Sequence, residues 1–436
     1  MTAAALDGNA LVRALVPWVG RGASIDGLTL LSGGASKQTW SFDAVGADGT
    51  RTELVLRRNQ PGRPADPAGM HLEARALSLA HAAGLPVPEM LLMSEGPGLG
   101  TPGMVLRRIA GETIARKILR DGAYEQARGV LVRQLAEFAA GLHAIEVPEG
   151  FPQPDPLAGL REQLDSFGRP SEVFELALDW LAAHPPPGRE PVLLHGDFRL
   201  GNLIVGPEGL RAVLDWELTH LGNPAEDLGW LSVKAWRFGA AAPVAGMGSR
   251  DELLAAYRAA GGVDIGLDEL RWWEILGTLR WGVICLTQAW THLSGAHRSV
   301  ELAAIGRRVA EQEWDLLVLL DPQAAESAAA ARPDPSGEPA AGPAPYGRPT
   351  ASELLDAVRD YLLADVLPAT DGQLAFHARV AANVLAIVAR ELELGPDAPG
   401  GDLASQVAAR LAVANPKYFE DLGSDGARPA AGTGRH

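Results

Sequence analysis

The stretch LLHGDFRLGNLIVGPEGLRAVLDWE, from Leu193 to Glu217, constrains the fold more than any other part of the chain. Two short apolar runs, Leu203–Val205 and Ala212–Leu214, flank Gly206-Pro207-Glu208-Gly209, which is the composition of a β-hairpin with a tight loop. Its ends are unexpectedly polar. His195, Asp197, Arg199 and Asn202 crowd the entrance, and Asp215 sits at the exit. A hairpin returns its chain to where it began, so Asn202 and Asp215 are predicted to lie close in space, with Asp197 just upstream. One carboxylate and one amide oxygen are hard ligands that suit Mg²⁺ when phosphate and water complete the shell. Asp197 is then placed to accept a proton from a hydroxyl attacking a metal-bound phosphoryl group. Taken singly, each of these residues is an ordinary cap or Asx-turn residue. The set at this spacing is what points to chemistry.

At 436 residues the chain is long enough for two or three domains. A hydrophobic fraction of 47% with 21% charged residues is that of a globular protein. No continuous apolar run approaches the roughly 20 residues that span a bilayer, and the N-terminus lacks the basic, apolar and small-residue order of a secretory signal. The single cysteine, Cys285, excludes an intrachain disulfide or a multi-cysteine metal site and reads as buried packing. A net charge of −16 argues against a nucleic-acid partner. The expectation is a cytoplasmic protein with no membrane and no nucleic-acid association.

Residues 1–110 alternate short β-like runs with turns around one helix, PAGMHLEARALSLAHAAG, and read as a small sheet-rich lobe. Residues 111–320 are mainly helical apart from the hairpin. Residues 321–349 are mostly Ala, Pro, Gly and Ser and predict a flexible tether. Helical periodicity returns over 350–425, enough for a small acidic three-helix bundle.

HGDFRLGN, twelve intervening residues and then DWELTHLGNPAEDLGWL resembles the catalytic loop and metal-binding aspartate of the aminoglycoside phosphotransferase-like family, in the subfamily that also occurs fused to certain acyl-CoA dehydrogenases. The resemblance covers about 20–320 and implies a bilobal α+β protein-kinase-like fold: a small β-rich N-lobe and a mainly helical C-lobe, here followed by the linker and an all-α bundle. It implies Asp197 as catalytic base, Asn202 and Asp215 as Mg²⁺ ligands, Arg199 as a cation near the transferred phosphoryl group, and Asp227 as a brace for the catalytic loop. His195 reads as a hydrogen-bonding residue within that loop. The C-terminal bundle is similar to a helical domain of unknown function found beside such phosphotransferases.

In the N-lobe, the turn LSGGASKQTW offers Gly33, Gly34 and Ser36 for close approach to nucleotide phosphates. Glu73 falls on the apolar face of the helix, with Met70 and Leu77, and needs a cationic partner. Arg57, ending the strand ELVLR, stands where the family usually has lysine. MVLRRIAGE, with Met104 and Leu106, reads as the connector between lobes whose backbone would hold adenine, or as an edge strand. Trp230, Trp236 and Arg237 are candidates for the acceptor side, while the stripe from Leu276 to Trp290 reads as core. The expected activity is transfer of the γ-phosphoryl group of ATP to a hydroxyl of a small-molecule acceptor, with a hydroxyacyl compound or CoA thioester among the acceptors the resemblance admits. The alternative is a catalytically idle nucleotide-binding scaffold. A homodimer contact or a protein partner would fall to the C-terminal helices.

Overall fold

The computed structural model of the chain describes residues 8–31, 37–59, 67–95, 99–147, 149–168, 171–297, 299–331, 351–394 and 400–423. The chain begins with helix α1 (Gly8–Val19) and an antiparallel sheet of β1 (Ser24–Leu30), β2 (Lys37–Val45), β3 (Arg51–Asn59), β4 (Met90–Ser94) and β5 (Gly103–Arg107), in the order β1-β2-β3-β5-β4. Period-2 alternation in β3 sends Leu54, Leu56 and Arg58 to one face and Val55 and Arg57 to the other. The first face packs with Phe42 and Ala44 of β2 against Leu11 and Leu15 of α1, all fully buried. Helix α2 (Pro67–Ala82) follows β3 and starts on a proline, whose missing N–H costs nothing at a first turn. It ends where Gly84 takes a left-handed conformation, φ 76°, and its N–H closes on the His81 carbonyl.

After α3 (Ala115–Arg120) and α4 (Glu125–His143) come α5 (Pro156–Ser166) and α6 (Glu172–Ala183). Four short strands follow: β6 (Val192–Leu194), β7 (Leu203–Gly206), β8 (Gly209–Val213) and β9 (His220–Gly222). β7 and β8 form the expected hairpin, and β6 pairs with β9. The remaining helices are α7 (Ala225–Ser232), α8 (Arg250–Ala259), α9 (Leu267–Leu293), α10 (Val300–Arg307), α11 (Val309–Leu320), α12 (Pro322–Ala330), α13 (Ala351–Tyr361), α14 (Gly372–Leu394) and α15 (Leu403–Ala414).

The chain divides into two compact units. One holds both sets of strands with α1–α4, α7, α8 and the start of α9; the other holds α5, α6, the rest of α9 and α10–α15. This division differs from a lobe-by-lobe reading, because the helices after 350 share a unit with 274–331 instead of forming a bundle of their own. The reason lies on α11, where Glu311, Glu313 and Asp315 are all buried and need partners. α15 and the turn after it supply several. Arg410 meets Glu313 at 2.8 Å, Asn415 meets Glu311 at 3.1 Å, and the Tyr418 hydroxyl donates to Asp315 at 2.6 Å.

Two further expectations change. The start of the anticipated tether is the helix α12: Asp321 caps it, Pro322 occupies its first turn, and Ala325 and Ala328 are buried. Alanine is poor at building a core but is the best helix former, and a neighbouring helical face let it pack. The rest of that segment, 332–350, lies outside the described residues. α14 meets the length and mean-hydropathy criteria for a membrane span, although no continuous apolar run was evident, because alanines raise its average while Arg379 and Arg390 interrupt it.

Replacing Arg410 with leucine removes one of the two side chains bonded to buried Glu313, the other being Ser171. Urea unfolding should show a loss of about 1–3 kcal/mol. An unchanged midpoint would mean that the Arg410–Glu313 pair contributes nothing to holding α15.

Candidate active site

The loop between β6 and β7 carries most of the chemistry, and it is held from behind by α7. Asp227, 1% exposed, accepts from the backbone N–H groups of His195 and Gly196, both at 2.9 Å. His143 approaches the same carboxylate at 3.3 Å and is itself bonded to the Tyr257 hydroxyl at 2.8 Å. Burial pushes the Asp227 carboxyl up, but the hydrogen bond and charge of His143, with His195 and the backbone bonds, outweigh it and leave the group below its ordinary 3.8. Gly196 sits at φ 78°, and a Cβ there would lie 2.1 Å from the Leu218 carbonyl oxygen. Only glycine fits this turn.

His195 makes its bonds inside the site. Its Nδ1 accepts from the Asp197 N–H at 3.2 Å, which leaves Nε2 to donate to the Leu214 carbonyl at 2.9 Å. The imidazole thus ties the loop to the hairpin's returning strand. The carboxylate of Asp197 is held by three side chains. Arg199 Nε (2.9 Å) and Trp230 Nε1 (2.8 Å) donate to Oδ1, and Asn202 Nδ2 (2.6 Å) donates to Oδ2. The Arg199 guanidinium also lies over the Trp236 ring, 4.6 Å from its centroid. Arg199 is therefore an orienting partner of Asp197 as well as a nearby positive charge.

The hairpin does bring its two ends together. Leu203 pairs with Val213, and Leu214 N–H donates to the Asn202 carbonyl at 2.8 Å, so position 202 lies beside the approach to Asp215. Asp215 takes φ 67°, a conformation rare outside glycine and costly unless its surroundings impose it. The donor chemistry fits Mg²⁺. Asn202 uses its amide nitrogen on Asp197, so its side-chain oxygen faces away from that bond, and Asp215 engages Arg57 through only one oxygen. Among the described residues no group of three or more His, Cys, Asp or Glu is arranged to hold a metal alone. An ion here would need oxygens from a bound phosphate or water.

Across from the hairpin exit lies a cluster of charges. Glu73 on α2 is 3% exposed, and both of its oxygens have cations: Arg57 Nε at 3.0 Å on Oε1, and Lys37 Nζ on Oε2. Arg57 reaches on to Asp215 and, at 3.5 Å, to Glu217; Lys37 meets Glu217 at 3.2 Å. Burial pulls the Arg57 guanidinium's pKa down, but the charges of Glu73, Asp215 and Glu217 outweigh it and hold it above its ordinary value. Lys37 and Glu217 are the residues sequence reasoning missed. For Lys37 the signal is register: Thr39 pairs with Arg57, which places Lys37, two residues earlier on β2, on the same sheet face.

Gly33, Gly34 and Ser36 lie outside the described residues. Met104 and Leu106 do not form a connector, nor an edge strand. They belong to β5, an interior strand bonded to both β3 and β4, where Met104 is fully buried opposite Arg57. A short continuous apolar run, Met104-Val105-Leu106, suited either reading, and the pairing with β3 decided it. The segment crossing toward the hairpin is Arg108–Glu112, and Glu112 bridges to Val205.

A family model described as "Phosphotransferase enzyme family" matches residues 27–273, more than half of the chain. The chain belongs to this family. A second model, a domain of unknown function (DUF6285), matches 368–402. The chain is similar to acyl-CoA dehydrogenase family member 10 of Mus musculus, 28% identical over 204 residues, covering 41% of this chain and 18% of that protein. It is also similar to family member 11 of Gallus gallus, 33% identical over 170 residues, covering 34% of this chain and 21% of that one. The matched region thus spans only about a fifth of the length of these relatives. A crystal structure from Ralstonia eutropha assigned to the aminoglycoside phosphotransferases matches with a TM-score of 0.56 at 20% identity, covering 72% of this chain and 98% of that one. The phosphotransferase therefore has the kinase-like aminoglycoside phosphotransferase fold, a β-sheet N-terminal region followed by mostly helical structure.

Because folding lowers the Asp227 pKa below its unfolded value of about 3.9, its bracing is complete above that pH and is lost as pH falls through the folded value. Asp227→Asn should be less stable than the parent at pH 7, with the gap closing as pH falls below about 4. Thermal melts across pH 3–7 check this; a gap that does not narrow would contradict the assigned role.

Proposed function

We propose that the protein transfers the γ-phosphoryl group of ATP to a hydroxyl of a small-molecule acceptor. The observation that carries this reading is the state of Asp197. An ionised carboxylate offers about four acceptor positions, and Arg199, Trp230 and Asn202 occupy three of them. The position left, on Oδ2, suits an acceptor hydroxyl. Three donors fix the carboxylate's orientation. Asp197 would then align the hydroxyl and take its proton late, as charge develops on the attacking oxygen.

Asn202 and Asp215 would hold Mg²⁺, which when bound would neutralise phosphate charge. Arg57, already at the hairpin exit, would face the phosphates. The similarity to acyl-CoA dehydrogenase family members supports a hydroxyacyl compound or CoA thioester as acceptor.

ATP consumption measured against a panel of hydroxylated acceptors tests the reading. Asp197→Ala should lower kcat by about 10²–10⁴-fold, and Asp215→Ala should have a comparable effect. Trp230→Phe removes one donor and should cost about tenfold in kcat with little change in KM. Full turnover by Asp197→Ala would refute the mechanism, and nucleotide binding without turnover on any acceptor would favour an idle scaffold.

A further inference from the structure

We infer that Lys37, on β2, is a second phosphate-binding cation of the nucleotide site and shares Glu73 with Arg57. The inference rests on the phosphotransfer reading and deepens it. Two cations meet the buried carboxylate of Glu73, and neither serves it alone. Each of the two reaches past Glu73 toward the hairpin exit, Arg57 to Asp215 and Glu217, Lys37 to Glu217. The cluster therefore sets Lys37 and Arg57 against Glu73, Asp215 and Glu217, and the carboxylates at the hairpin exit stand where phosphate oxygens would compete for the cations.

The two cations differ in what they can do. Arg57 forms an ion pair with Glu73, its Nε 3.0 Å away but outside hydrogen-bond geometry, and directs a terminal nitrogen to Asp215 at the exit, so its guanidinium is divided between two partners. Lys37 is a compact point charge with three donors. It can keep Glu73 on one donor and offer another to a phosphate oxygen in place of Glu217. Its side chain is 12% exposed, so it is sheltered without being sealed. The register that places Lys37 diagonal to Arg57 on one sheet face lets both contact the same polyanion. The point charge that β3 lacks is thus supplied from the neighbouring strand.

Equilibrium titration of the full chain with ATP, ADP and adenosine in Mg²⁺ tests this. Lys37→Met should weaken ATP and ADP by about tenfold or more, while adenosine, which has no phosphate, changes by less than about twofold. Lys37→Arg should recover most of the loss. Equal weakening for ATP and adenosine would make Lys37 a purely structural counter-ion of Glu73, and no weakening would remove it from the site; either result overturns the inference. Should Lys37→Met fail to fold by circular dichroism, Lys37→Gln is judged on the same ATP-to-adenosine comparison. A wild-type chain that binds no ATP would refute the phosphotransfer reading itself, whereas wild-type binding matched by Lys37→Met refutes only the role of Lys37.

Discussion

A carboxylate buried to 3% exposure cannot stand without a cation, and Glu73 ties three separate pieces of the chain together for that reason. It lies on α2, its partners Lys37 and Arg57 lie on β2 and β3, and those partners extend to Asp215 and Glu217 at the end of the hairpin. Desolvation makes this arrangement intolerant: remove either cation and the remaining charges are left poorly compensated. The same network presents carboxylates, Asp215 and Glu217, that suit a metal cation, and beside them two cations, Lys37 and Arg57, that suit a polyanion.

A second buried carboxylate performs a different task. Asp227 carries no exposed chemistry; it fixes the backbone amides of His195 and Gly196 and thereby the direction in which the following residues leave β6. From that point the loop is specified by local bonds. His195 joins it to Leu214, Asn202 folds back on Asp197, and Trp230, three residues beyond Asp227, delivers its indole N–H to the Asp197 carboxylate. One helix therefore both anchors the loop and orients the group at its centre.

Much of the site was legible because its parts lie within one hairpin, where chain return is a geometric necessity. The spacing of Asn202 and Asp215 required no tertiary knowledge, and Glu73 declared its need for a cation by falling on an apolar helix face. Lys37 was not legible: a lysine beside a glycine-rich turn is commonplace, and only the pairing of β2 with β3 brings it to Glu73. Met104 and Leu106 were misplaced because a short continuous apolar run fits a connector and an interior strand equally well. Nor could spacing reveal that Tyr257 supports His143 behind Asp227, since those residues meet across more than a hundred positions. Alanine-rich composition after Asp321 suggested a tether, but a buried polar face on α11 recruits α15, and α12 packs with both.

The central claim is that the polar end of the hairpin, with the cations facing it, is a joint site for a divalent metal and a nucleotide. Its most direct test is Mn²⁺ titration followed by electron paramagnetic resonance, with and without ADP. With Asn202 and Asp215 as the two proposed ligands among the described residues, Mn²⁺ should bind weakly alone and about tenfold or more tightly with ADP present, the nucleotide phosphates completing its shell. Asp215→Asn should erase that gain. Mn²⁺ binding that is indifferent to ADP, or undiminished in Asp215→Asn, would contradict the account.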